Sequence, residues 1–184
     1  MRRGRRVVAV DPFDEYSVTG RGKYTNRGPL LEAMSPRELA LDPDKLHESG
    51  MSLAVVPEQP ATRIGAARAF SLLSRLVRHA GDAAVICSEV GLYAEACGEQ
   101  LKELATTGRH AGLMGIFDAQ RPALIPATVR SQCDCLVAFH AFHPADLEVI
   151  REVTGDEEFT DAVTRLDVGQ CLLWRSNQQN KTRH

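Results

Sequence analysis

The sequence predicts an α/β protein built on a mainly parallel sheet with helices on both faces. Three observations predict it. Apolar runs of strand length recur along the chain, amphipathic helical patterns separate them, and proline or glycine punctuates the boundaries. Such an alternation places any site at the carboxyl ends of the strands.

The elements follow in order. Residues 6–10, Arg-Val-Val-Ala-Val, are β-branched and stop at Asp11-Pro12, where proline withholds the next strand donor. Residues 13–36 are rich in glycine, proline and polar side chains and predict a surface loop. A second apolar strand at 52–56 ends at Pro57 and Pro60. From Thr62 onward, Ile64, Ala67, Phe70, Leu73, Leu76 and Val77 recur every three or four residues, which predicts an amphipathic helix ended by Gly81. Arg63, Arg68, Arg75 and Arg78 lie around its polar side.

Residues 83–87 are continuously apolar and too short for a helix, so they predict a central parallel strand. Helix is predicted at 98–107, strand at 113–117, a short helix at 126–132 and strand at 135–139. Helices at 144–153 and 156–166 follow, the first opened by Pro144, before a last strand at 170–174. The 184 residues are expected to form one compact α/β domain, with a flexible tail at 177–184.

Composition narrows the classes. Hydrophobic residues make up 43% and charged residues 25%, which suits a globular protein and excludes a disordered or fibrous one. A net charge of -2 argues against a molecule coated in positive field, although four arginines crowd the first six residues. Acidic residues follow those arginines at once and no apolar run reaches membrane-span length, so the expected location is cytoplasmic, with no membrane partner. Five cysteines, several in apolar runs, fit reduced thiols better than disulfides. Cys133-x-Cys135 lacks the spacing of a zinc knuckle.

The candidate chemistry gathers at strand ends. Ser88-Glu89 follows the strand at 83–87, which sets a carboxylate where phosphates sit in nucleotide-binding sheets. In a nucleotide hydrolase Glu89 would polarise the attacking water. The preceding residue is ordinarily an aspartate near magnesium, and Ser88 could hold only a magnesium-bound water there. Equally, Glu89 could be a helix N-terminal acid. Gln120, just past the strand at 113–117, could hydrogen-bond both water and terminal phosphate, or satisfy loop carbonyls as a turn residue. Arg109, entering the same strand, could act as a finger on a neighbouring subunit's phosphate, or be a surface arginine. His110, His140 and His143 show no partner spacing, which ranks a small-molecule enzyme using Glu89, Asp118 and a histidine last.

In order and spacing, the run from Val7 to Tyr16, the Glu89 strand, Gly108-Arg109-His110, Gln120-Arg121-Pro122 and His143-Pro144-Ala145-Asp146 resemble the FtsK/HerA superfamily of DNA-translocating P-loop ATPases. The resemblance spans about nine tenths of the chain in order. It implies a P-loop NTPase-like core in which Glu89 is the catalytic acid of the Walker B strand, Ser88 replaces its aspartate, and Gln120 is the strand-end sensor. It further implies Arg109 as finger, and Asp11 and Glu15 near the nucleotide. ATP and magnesium are the implied cofactors, a ring-forming AAA-like oligomer the implied assembly, and DNA the implied partner. The family's Gly-x-x-x-x-Gly-Lys-Ser/Thr loop precedes the Asp11 strand, and these 184 residues do not contain it; Gly22-Lys23 is followed by Tyr24. Without that loop, the core lacks its phosphate-loop strand and binding of ATP and magnesium should be weak or absent.

Two readings of function result. One is a truncated or degenerate ATPase relative, inactive or weak alone, pairing with itself or with a full-length ATPase. The other is a non-enzymatic scaffold of a phage or mobile-element DNA-handling complex.

Overall fold

The computed structural model describes residues 6–16, 31–47, 52–59 and 62–176, and the expected tail at 177–184 lies outside them. Five strands form one wholly parallel sheet: β1 (Arg6–Val10), β2 (Glu32–Met34), β3 (Leu53–Val55), β4 (Ala83–Cys87) and β5 (Met114–Phe117). Their spatial order is β2-β3-β1-β4-β5, so β1 is central. Its register runs Val8↔Leu53 on one side and Val8↔Val85 on the other. The α/β class predicted from the sequence is the class observed.

The central strands read as apolar runs because both faces are covered. Val8 and Val10 of β1 point one way with Leu53, Val55, Val85 and Cys87; Ala9 points the other way beside Ala54, under Leu31 and Tyr16. Ala9, Val10, Ala54, Val55, Val85 and Cys87 are wholly buried.

Three helices belong to this sheet: α1 (Pro36–Leu41), α2 (Arg63–Ala80) and α3 (Gly98–Thr107). Ser35 caps α1 in a capping box with Glu38, and Thr62 caps α2 by accepting from the Gly65 amide, a contact of about 1 kcal/mol. The α2 stripe differs from the predicted one. Ala66, Ala69, Phe70, Leu73 and Val77 are buried, whereas Ile64 is 64% exposed. At about 100° per residue, Ile64 falls roughly 160° from Ala66, on the far side of the helix. Phe70 stacks on Tyr93 at 4.9 Å between centroids, and each buries its ring fully. Gly81 ends α2 with φ 63°, and Arg6 Nη2 donates to the Ala80 and Gly81 carbonyls at 2.9 and 2.6 Å. The residue that starts β1 thereby closes the end of the helix that feeds β4.

Two expectations are corrected. The loop expected at 13–36 contains β2, whose Met34 is buried beside β3; most of the remaining stretch, 17–30, lies outside the described residues. Three residues in a proline- and glycine-rich context are too few to show a period. The single compact domain is also not what is observed, because the chain divides into two units, 1–120 and 121–184.

The second unit carries its own small sheet. After the four-residue α4 (Ala127–Arg130), β6 (Cys135–Phe139) pairs antiparallel with β7 (Cys171–Arg175), joined through α5 (Pro144–Thr154) and α6 (Glu157–Val163). Ala138 packs on Ile150 and Val163, with Leu136, Phe159 and Leu172 around them. Cys135, Val137 and Phe139 on the opposite face of β6 are exposed. A short apolar run does not say which sheet it joins, and this one joins a separate pair. Among the described residues, no helix is long and apolar enough to cross a membrane.

Candidate functional site

The carboxyl ends of β1, β4 and β5 converge, and each delivers an acid. Asp11, at 1% exposure, ends β1. Its Oδ1 accepts the Glu15 amide at 2.9 Å and its Oδ2 the Tyr16 amide at 2.7 Å. Both oxygens thus shape the turn that follows the strand, in the manner of an aspartate-closed loop. Burial raises the Asp11 pKa above the usual carboxylate value, and the amides of Glu15 and Tyr16 oppose that rise.

That turn lays Tyr16 across the end of β4, where its hydroxyl lies 3.4 Å from Ser88 Oγ. Ser88 is buried and donates to Asp118 Oδ2 at 2.9 Å. Ser88 is therefore not a charged ligand itself; it anchors a carboxylate that arrives from the neighbouring strand. The register Cys87↔Phe117 makes this inevitable, since the residues next beyond the strand ends are Ser88 and Asp118. The Asp118 amide donates to the Cys87 carbonyl at 3.0 Å, and its own carbonyl accepts the Val90 amide at 2.9 Å.

Between those two bonds sits Glu89, in a left-handed conformation with φ 49° and ψ 51°. For a residue with a Cβ this costs about 1–2 kcal/mol. In this conformation Glu89 Oε1 accepts Gln120 Nε2 at 3.3 Å. Glu89 is half-buried and Gln120 exposed.

The cluster is electrostatically incomplete. Burial raises the Glu15 pKa, and Asp11, Glu89 and Asp118 raise it further. The Tyr16 phenol is pushed up chiefly by burial, with Asp118, Glu15 and Asp11 adding to it. Glu15, Glu89 and Asp118 form no ion pair among the described residues. Nor do three or more acids, cysteines or histidines stand close enough there to hold a metal by themselves.

Of the residues predicted for a site, Asp11, Glu15, Ser88, Glu89 and Gln120 come together at this end of the sheet. Arg109 does not join them. It is exposed in the tight turn Gly108–Ala111 that precedes β5, at the opposite end of that strand. Gly112 completes this turn at φ 72°, where any Cβ would run into the Asp82 carboxylate. His143 caps α5 by accepting the Ala145 amide, and its Nδ1 lies 3.2 Å from Arg121 Nη2. Asp118 and Tyr16 also belong to the cluster; the sequence suggests Asp118 only within the small-molecule-enzyme reading ranked last, and does not single out Tyr16. The signal for Asp118 was its place as the first residue past β5, in register with Ser88.

The magnesium chemistry expected from the sequence can be tested against this donor set. One or two carboxylates are what a magnesium ion takes when phosphate oxygens and waters complete its shell, so Asp118 and Glu89 fit it. A nucleotide also needs a cradle for its phosphates, and among the described residues no lysine or arginine pairs with Glu15, Glu89 or Asp118.

The fold has solved counterparts. The genome packaging NTPase B204 from Sulfolobus turreted icosahedral virus 2, in complex with AMPPCP, is similar to this chain with TM-score 0.66 and 17% identity, over 95% of this chain and 80% of its own. The same NTPase in complex with AMP gives TM-score 0.63 and 17% identity, over 97% of this chain and 96% of its own. The DNA-packaging ATPase B204 from Sulfolobus Turreted Icosahedral Virus gives TM-score 0.62 and 16% identity, over 95% and 79%. No protein-family model and no curated protein sequence matches the chain. At these identities the likeness is one of fold, that of a P-loop NTPase.

Proposed function

We propose that this chain is a relative of DNA-packaging and DNA-translocating ATPases that carries the water-activating and sensing side of a nucleotide site and is weak or inactive in ATP hydrolysis alone. The observation that carries the reading is the strained Glu89, held at the tip of β4 against Gln120 and beside Ser88 and Asp118. Left-handed backbone at a non-glycine strand end persists where the surroundings impose it, and such positions concentrate at working sites. The fold shared with a genome packaging NTPase whose structures are in complex with AMPPCP and ATP-gammaS supports a nucleotide as the ligand.

Within that reading the roles follow from the contacts. Glu89 accepts a proton from a water bound at its carboxylate, and Gln120 fixes that carboxylate by donating to one oxygen. The second Gln120 amide hydrogen and its carbonyl are then available to the water and to a terminal phosphate. Ser88 holds Asp118 in place through one oxygen, leaving the other to face a cation. Magnesium, when bound with nucleotide, would neutralise phosphate charge at Asp118. Arg109 has no role within its own subunit's cluster; a finger role requires a neighbouring copy.

Calorimetric titration with Mg-ATPγS tests this. Weak binding that Glu89→Gln preserves or strengthens and Asp118→Ala weakens is the expected outcome. Binding that neither substitution alters would sink the reading.

A second reading, an assembly scaffold without catalysis, is favoured by one observation. Met114 and Ile116 on β5, and Val137, Phe139 and Leu173 on the β6–β7 pair, are large apolar side chains left 44–60% exposed. Absence of nucleotide binding with retention of a stable protein complex would put that reading ahead.

A further inference from the structure

The start of α5 is held by a histidine, where serine, threonine, aspartate or asparagine ordinarily caps a helix. Pro144 has no amide, so the first-turn donors in need of partners are those of Ala145, Asp146 and Leu147. The Asp146 and Leu147 amides reach the His143 carbonyl at 2.9 and 3.1 Å. That leaves the Ala145 amide, which donates to His143 Nδ1 at 3.3 Å.

A second donor points at the same nitrogen. Arg121 Nη2 lies 3.2 Å from His143 Nδ1, and a guanidinium can only donate. Nδ1 is therefore the acceptor in both contacts, and the ring proton belongs on Nε2. Arg121 also turns its Nε toward both oxygens of Asp146, at 3.3 and 3.0 Å, and Asp146 is buried. One arginine thus joins the cap of α5 to an acid of its first turn. That arginine directly follows Gln120 in the chain.

A proton on His143 would undo this arrangement at one atom. Protonated Nδ1 is a donor, so the Ala145 amide would lose its acceptor, and a second cation would stand beside Arg121 at the positive end of the helix. The carboxylate in contact with this arginine, Asp146, already has both oxygens engaged by it. Further along α5, Glu148 pairs with Arg151, which also holds Glu157, and Glu152 pairs with Arg130. His140, in the same loop as His143, meets the ring of Phe142.

We propose that His143, Arg121 and Asp146 form a proton-operated latch: neutral His143 fixes the start of α5 and ties it to the segment that leaves Gln120, and protonation of His143 releases the tie. Asp146 keeps its contact with Arg121 in both states, so the latch opens at the histidine. All of its contacts are made within the second unit, and none involves a nucleotide.

The test uses the 184-residue protein without ligand. Nitrogen-15 shifts of the His143 ring and the exchange of the Ala145 amide are followed by NMR from pH 8 to pH 5. At pH 8 the ring should carry its proton on Nε2. On acidification the Ala145 amide should shift with the same midpoint as the ring and lose about fivefold in protection beyond the intrinsic pH dependence of exchange. The amides of Asp146 and Leu147, bonded to a carbonyl, should respond less. His143→Asn supplies a cap that does not titrate, so the pH response at Ala145 should vanish, whereas His143→Ala should leave that amide unprotected at every pH. A ring proton on Nδ1 at pH 8, an Ala145 amide that ignores the ring's titration, or a response that survives in His143→Asn, where His140 is the histidine left in the loop, each overturns the proposal.

Discussion

Glu89 can be interrogated through its backbone alone. Its φ of 49° makes it one of three described non-glycine residues with positive φ, and the other two, Asp14 and Asp82, are of a type that tolerates this region. Glycine pays no Cβ penalty there, which favours Glu89→Gly over Glu89→Ala by about 1–2 kcal/mol in the folded state. Glycine also loses more freedom on folding, an opposing effect of about 0.4–1 kcal/mol. The balance leaves Glu89→Gly more stable than Glu89→Ala by roughly 0.5–1 kcal/mol, or a Tm higher by about 1–4 °C for a chain of this size. Everywhere along β4 the same comparison should run the other way, since glycine weakens a strand. Thermal unfolding followed by circular dichroism measures the difference. If Glu89→Gly melts below Glu89→Ala, the residue is not held in the left-handed conformation and the argument from strain fails.

Three other perturbations test neighbouring parts of the molecule. Glu15 titrates higher in the folded chain than in the unfolded one, so the folded state holds its proton more tightly and ionisation weakens the fold as pH rises from the unfolded carboxylate value. Glu15→Gln should therefore be more stable than the parent at pH 7, by about 0.5 kcal/mol after solvent screening, and lose that advantage below about pH 4; an advantage that grows on acidification would refute the repulsion. Arg6→Ala should lower stability by about 1.5 kcal/mol, because the Ala80 and Gly81 carbonyls lose a charged donor, and urea unfolding will report it. With iodoacetamide at pH 8, Cys135 and Cys171 should label rapidly, while Cys87, buried and with its thiol pKa pushed far up, should react only on unfolding; mass spectrometry of the native protein decides it.

The legibility of the fold in the sequence tracks how completely each element is buried. β1, β4 and α3 are legible with their observed bounds because unbroken apolar runs and a regular helical period leave little choice. β2 is not, since three residues framed by glycine and proline carry no period. β6 is legible as a strand but not as part of a separate antiparallel pair, because partner choice depends on residues distant in sequence. In the site, Ser88 and Glu89 are visible as polar residues ending an apolar run. Asp118 enters only the reading ranked last, although strand register puts it directly against Ser88. Nothing in the sequence marks the left-handed turn at Glu89, which emerges only when the Asp118 carbonyl takes the Val90 amide. Arg109 looks near the site along the chain, yet one strand length carries it to the other end of the sheet.

The central proposal is that this acidic strand end activates water while the described residues hold phosphates too weakly to use it. Phosphate release from ATP by the purified chain, compared with Glu89→Gln in magnesium buffer, tests it most directly. The account predicts no release above that of the variant. Sustained release that Glu89→Gln abolishes would show that the chain binds and hydrolyses ATP unaided, and would contradict it.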